Sequence, residues 1–162
     1  MITITENITI NSDINTIWAF ITDFSLSLNY NRFHTNLELP SNYSVGTMKK
    51  FNINHNFGFG NYEMVAEITE CTPPNHLCIS EYCQGEKGKG FPHSIIFQIE
   101  PQRDKSKIFY TVTGTYGGKV QDMSFKPILK GVMIEELLKI KNAIESSEKA
   151  PKPIITETVK PI

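Results

Sequence analysis

The stretch Ile8-Thr9-Ile10-Asn11-Ser12-Asp13-Ile14-Asn15-Thr16-Ile17-Trp18-Ala19-Phe20-Ile21-Thr22-Asp23-Phe24 decides the fold, because its hydrophobic period changes in the middle. From Ile2 to Ile10 apolar and polar residues alternate, with Ile2, Ile4, Ile8 and Ile10 set against Thr3, Thr5, Asn7 and Thr9. That is the pattern of a strand with one buried face. Asn11-Ser12-Asp13 then offers side-chain oxygens to the free N–H groups of a helix start. Ile14, Ile17, Trp18 and Ile21 follow at helical spacing, and Phe20 and Phe24 widen the stripe. Phe24, Leu26, Leu28 and Tyr30 are too dense for a loop, so a second short helical turn is expected over residues 23–30.

Downstream the period returns to two. Strands are expected over residues 33–39, 47–55, 62–71, 76–83, 91–100 and 107–115. Breaks fall at Pro40-Ser41-Asn42, at the glycine hairpin Phe57-Gly58-Phe59-Gly60-Asn61, at Pro73-Pro74-Asn75, at Gly85–Gly90 and at the polar loop Pro101–Ser106. Gly117-Gly118 ends the sheet. Leu129, Val132, Met133, Glu136, Leu137, Ile140, Ala143 and Ile144 then keep the helical period, and Pro127 predicts a helix that starts or kinks there. Residues 148–162, with Pro151, Pro153 and Pro161, show no core periodicity and read as an extended tail behind one domain, 1–147. Strands followed by a segregated helix make an α+β arrangement: a curved antiparallel sheet of about seven strands around one long C-terminal helix, with two short helices after the first strand. One helix cannot cover such a sheet fully, and the gap is where an apolar cavity is expected.

Composition narrows the partners. The chain has 162 residues and a mass of 18.4 kDa, with 40% hydrophobic and 20% charged residues and a net charge of -1, which suits one soluble globule. Without a basic field, nucleic acid and anionic membrane are poor partners. No apolar run is long enough to cross a bilayer, and Met1–Glu6 lacks the features of a signal peptide, so the expected address is cytoplasmic. The expected partner is a small hydrophobic molecule, with no nucleic acid, no stable membrane insertion, and a monomer or homodimer as the assembly. Cys71, Cys78 and Cys83 match no zinc-ribbon or redox spacing and read as free thiols.

The candidate chemistry lies on the inward strand faces. His55 shares a face with Phe51 and Ile53, His93 with Ile95, Phe97 and Ile99, and Glu81 with Leu77 and Ile79. An imidazole and a carboxylate in an apolar pocket have shifted pKa values and can pass a proton, so His93, His55 and Glu81 are the catalytic candidates. The plainer alternative puts His55 and His93 half-exposed at strand ends, bonding only to backbone. His34 and His76 read as surface or turn residues. With no His-x-His, His-x-x-x-His or Cys-x-x-Cys pairing, no metal site and no cofactor are expected. Gly85–Gly90 lacks the Lys-Ser/Thr of a phosphate loop, and no nucleophile elbow is present. The expected ligand-binding residues are Phe51, Ile53, His55, Tyr62, Met64, Glu81, His93, Ile95, Phe97 and Tyr110 on the sheet. Phe125, Leu129, Val132 and Met133 form the helical roof.

The opening strand Ile8–Asn11 and the run Ser12–Phe24 resemble the START-like (SRPBCC) superfamily, and more narrowly its polyketide cyclase/dehydrase and lipid-transport branch. The match is to a strand, a small polar turn and a helix reading (V/I)W-x-x-(I/L)-x-D-(F/L). Gly46 before a strand, the Pro73-Pro74-Asn75 break and the terminal amphipathic helix fit the same pattern, over roughly residues 4–147. The chain departs from it at Asn29-Tyr30, where many members carry a tryptophan. The resemblance implies a helix-grip fold with an apolar pocket under the C-terminal helix, holding lipids, sterols, polyketides or similar molecules. Some members catalyse cyclisation or dehydration there, and no catalytic residue is common to all, so no role transfers by position. Two readings follow: a carrier of a small hydrophobic ligand, or a polyketide cyclase/dehydratase-type enzyme using a His/Glu proton shuttle in the same cavity.

Overall fold

The computed structural model describes residues 1–58, 60–85 and 89–147. The expected tail and the middle of the glycine-lysine turn lie outside the described residues. Strand β1 (Ile2–Ile10) leads into α1 (Ile14–Thr22) through Asp13, whose carboxylate accepts from the backbone N–H of Asn15 and Thr16 at 2.9 and 3.1 Å. Helix α2 (Phe24–Ser27) and one 3₁₀ turn (Leu28–Tyr30) follow. Six further strands come next: β2 (His34–Glu38), β3 (Lys50–Asn56), β4 (Asn61–Thr72), β5 (His76–Tyr82), β6 (His93–Gln102) and β7 (Lys105–Gly114). Helix α3 (Lys119–Ser147) closes the chain.

The seven strands form one antiparallel sheet in the order β1-β7-β6-β5-β4-β3-β2. Consecutive β1 and β2 therefore lie at opposite edges, and α1, α2 and the 3₁₀ turn carry the chain across between them. Bulges between Ile68 and Glu70 and between His34 and Asn36 bend the sheet. Its concave face and the buried stripe of α3, from Phe125 through Ile144, enclose one core. Helix α3 runs beside β1: Lys130 Nζ is 3.2 Å from Glu6, Lys141 Nζ donates to the Thr9 carbonyl at 2.9 Å, and Asn11 N–H donates to Glu145 at 2.9 Å. The fold is the expected α+β helix-grip arrangement. Among the described residues, no helix is long and apolar enough to cross a membrane.

The element boundaries move in places. Helix α3 starts at Lys119 and runs through Pro127 rather than starting there. Pro127 is exposed, and the carbonyl its missing N–H would have bonded belongs to Met123, itself an exposed residue. The loop expected over 101–106 is instead a tight turn at Arg103-Asp104, with Pro101 paired to Ser106 and Gln102 to Lys105. Pro101 is tolerated because β5 pairs with β6 only as far as Gln98, so its other edge is free at that level. Strand β3 begins at Lys50 and β6 at His93, later than expected.

Candidate functional site

Four strands, β2, β3, β5 and β6, bring their inward residues to one interior point. His55 lies opposite His34 in the β2–β3 register, and His93 lies opposite Glu81 in the β5–β6 register. Glu81 Oε2 is 2.8 Å from His55 Nε2 and 3.4 Å from His93 Nε2. Both His55 and Glu81 are 1% exposed. The His34 ring meets the His55 ring edge-on, with centroids 4.6 Å apart. The 2.8 Å contact is close but not an aligned hydrogen bond: neither His55 nitrogen and neither Glu81 oxygen has a hydrogen-bond partner among the described residues.

The tautomers of the flanking imidazoles follow from their neighbours. His34 Nδ1 is 2.7 Å from the Leu28 carbonyl, and His93 Nδ1 is 2.6 Å from the Phe91 carbonyl. A carbonyl only accepts, so each Nδ1 carries the proton and each Nε2 presents a lone pair inward. Burial pushes the His34 imidazole down to about 4 and the His55 imidazole down to about 3, and it lowers His93 in the same sense. All three rings are neutral near pH 7. Gly114 helps to seat His93, because a Cβ there would lie 2.6 Å from both the Pro92 carbonyl oxygen and the His93 Cβ.

A second buried carboxyl comes from the helix. Glu136 Oε2 accepts from the Tyr110 hydroxyl at 3.0 Å and from Asn31 Nδ2 at 3.0 Å. Burial pushes Glu136 up to about 8 against those two donors, and the nearby Glu81 charge adds to the rise. Tyr110 is raised well above its ordinary range, first by burial and then by Glu136.

Aromatic rings fill the space between this polar cluster and the first half of α3. Phe91 stacks on His93 with centroids 4.6 Å apart and on Tyr116 at 4.6 Å. Phe57 stacks on His55 at 4.9 Å, and Phe125 meets Tyr116 at 4.2 Å. Outside this layer an apolar hollow of about 540 Å³ opens, walled by Tyr62, Gly90 and Tyr116 on one side and by Val120, Phe125 and Ile128 of α3 on the other. Gly90, at positive φ, brings backbone so close to Tyr62 that a Cβ would stand 3.3 Å from its ring.

The residues expected at the site divide by depth. Tyr62 and Phe125 wall the hollow. Phe51, Ile53, Met64, Ile95, Phe97, Leu129, Val132 and Met133 are buried in the core with Tyr110. His55, Glu81 and His93 meet one another. His34, expected at the surface or in a turn, instead presents a buried Nε2 to this cluster. His76 is half-buried at the sheet surface, between Glu70 and Gln98 at 3.0 Å each. No motif or hydrophobic period in the sequence marks Asn31, Phe57, Phe91 or Tyr116 as site residues. A carboxylate at Glu136 within the apolar stripe of α3 was the one legible sign of the second buried acid.

No family model matches the chain, and no curated protein matches its sequence. Solved structures do. The chain is similar to a conserved protein from Geobacillus kaustophilus at 17% identity and a TM-score of 0.71, covering 90% of this chain and 97% of that one. It is similar to a START superfamily protein from Mycobacterium smegmatis at 15% identity and a TM-score of 0.66, covering 89% and 97%. A protein from Deinococcus radiodurans aligns at 12% identity and a TM-score of 0.63, covering 90% and 99%. Likeness at such identities concerns the fold, and on it this chain has the START-like, helix-grip fold.

Proposed function

We propose that the protein binds a small, largely apolar molecule in the hollow between the first half of α3 and the Tyr62–Gly90 rim. The observation that carries this is the hollow itself: about 540 Å³ with aromatic walls, within the usual size range of small-molecule sites. Val120 and Ile128 are 73% and 52% exposed there, apolar side chains placed over a gap rather than in the core. The likeness in fold to a START superfamily protein favours the same reading, because the family resemblance implies an apolar pocket beside the C-terminal helix. Behind the wall, Phe91 stands between Tyr116 and His93, so a ligand that displaces its ring turns its polar end to the His/Glu cluster. Burying about 100 Å² of apolar ligand surface supplies roughly 2.5 kcal/mol before the costs of association.

A naphthalene sulfonate dye and a medium-chain fatty acid, titrated by fluorescence and native mass spectrometry, test it. One molecule per chain is expected, with affinity reduced at least about tenfold in Ile128→Glu, where a charge replaces apolar wall. Equal affinity in that variant, or no binding of either probe, contradicts the proposal.

A cyclase or dehydratase reading is favoured by a separate observation, the contact of Glu81 Oε2 with His55 at 2.8 Å and His93 at 3.4 Å. In it, a neutral imidazole takes a proton from the ligand and the carboxylate steadies the imidazolium that forms. Replacing His93 by Ala then abolishes turnover of an aromatic polyketide substrate while leaving its binding largely intact. Equal loss of both, or of neither, contradicts it.

A further inference from the structure

We propose that His34, His55 and Glu81 form a metal site that takes one divalent cation of the zinc class through two imidazole nitrogens and a carboxylate. One donor atom from each of these residues lies within 4.8 Å of the others. The site goes beyond the ligand hollow and does not rest on it. It also departs from the expectation drawn from local spacing, because the three ligands come from β2, β3 and β5 and no spacing along the chain foretells them.

The first support is unpaired polarity. Five buried side-chain atoms, His34 Nε2, His55 Nδ1 and Nε2, and Glu81 Oε1 and Oε2, have no hydrogen-bond partner among the described residues, and all belong to this one cluster. Buried polar atoms are nearly always satisfied, so a concentration of orphans at one point needs a physical cause. The second is orientation. His34 donates Nδ1–H to the Leu28 carbonyl at 2.7 Å, the backbone anchor that fixes the tautomer of metal-binding histidines and leaves Nε2 free to bind. His93 is anchored in the same way on Phe91, and its Nε2 lies 3.4 Å from Glu81. Lone pairs of neutral rings therefore converge on a carboxylate. A proton or a cation relieves that repulsion. A cation suits it better, because one ion can take donor atoms from His34, His55 and Glu81 together, whereas one proton bridges only two atoms.

The donor set selects the ion. Two imidazoles and one carboxylate suit Zn²⁺, Co²⁺ or Fe²⁺, whereas Mg²⁺ and Ca²⁺ want oxygen shells. Donor atoms around tetrahedral zinc stand about 3.3 Å apart, so closing this set takes side-chain rotations of about an ångström.

The full-length protein, dialysed against a chelator and titrated with Co²⁺ alone, provides the test. One equivalent is expected, with ligand-field bands of a nitrogen/oxygen site and no thiolate charge transfer. Glu81→Gln and His34→Gln should each weaken binding by at least about tenfold to a hundredfold, whereas His76→Gln, at the sheet surface, should leave it unchanged. Should the buried variants fail to fold, imidazole ¹⁵N spectra of the wild-type protein decide. Zn²⁺ must then move the His34 and His55 signals and spare that of His76. Absence of stoichiometric binding, a thiolate band, or undiminished binding in both cluster variants overturns the site. Any of these leaves the hollow untouched, since none of its walls is a ligand.

Discussion

Glu81 and Glu136 are the same side chain at the same depth, each 1% exposed, yet they keep different company. Glu136 hangs from α3 into a pair of donors, the Tyr110 hydroxyl and the Asn31 amide. Glu81 stands on β5 among imidazoles and finds no aligned donor among the described residues. A satisfied buried carboxyl is a structural tie, joining helix, sheet and the 3₁₀ crossover. An unsatisfied one is poised to receive something, whether a ligand's proton or a cation. The difference separates the part of the interior that holds the fold from the part available for chemistry.

The largest expected effect concerns Glu136 and pH. Its folded value is about 8 against an ordinary 4.5. Below 4.5 both folded and unfolded chains hold the proton. Between 4.5 and about 8 the unfolded chain ionises while the folded one does not, so stability falls as pH rises, and above about 8 the loss levels off. The groups facing it are Tyr110 and Asn31, which favour the ionised form, Lys139, which does the same more weakly, and Glu81, which opposes it. Urea denaturation of metal-free protein at pH 5 and pH 8.5 should show a fall on the order of a few kcal/mol, largely absent in Glu136→Gln. An equal fall in that variant would place the titration elsewhere.

Next in size is Tyr110→Phe, which removes one donor from Glu136 inside the core. It should cost about 1–3 kcal/mol in chemical denaturation, and a cost near zero would show that the tie carries no load. The smallest effect belongs to Glu81→Gln in metal-free protein, expected within about 1 kcal/mol of wild type because no aligned hydrogen bond is lost. A loss above about 3 kcal/mol, the usual result of breaking a buried ion pair, would erase the contrast between the two acids.

Strand alternation carried most of the fold. The inward faces Phe51-Ile53-His55, Leu77-Ile79-Glu81 and His93-Ile95-Phe97 could be read directly, so three members of the cluster were visible as candidates. His34 was hidden because Arg32, Thr35 and Asn36 around it are exposed, so no alternation marks its inward turn. The start of α3 was hidden because Val120, Met123 and Ile128 are apolar yet exposed, which blurs the helical period just before Pro127. Val120 and Ile128 border the hollow, so the signal failed where side chains face a gap instead of a core. Phe57, Phe91 and Tyr116 sit in or beside turns, where spacing says nothing about which rings will meet.

The proposed ligand site is the hollow beside α3. Intermolecular nuclear Overhauser effects between a bound naphthalene probe and the protein test it most directly. The prediction is contacts to the Tyr62, Tyr116 and Phe125 rings and to the Ile128 methyl groups. Contacts confined to the opposite, solvent-facing side of the sheet, or none at all with probe bound, would contradict it.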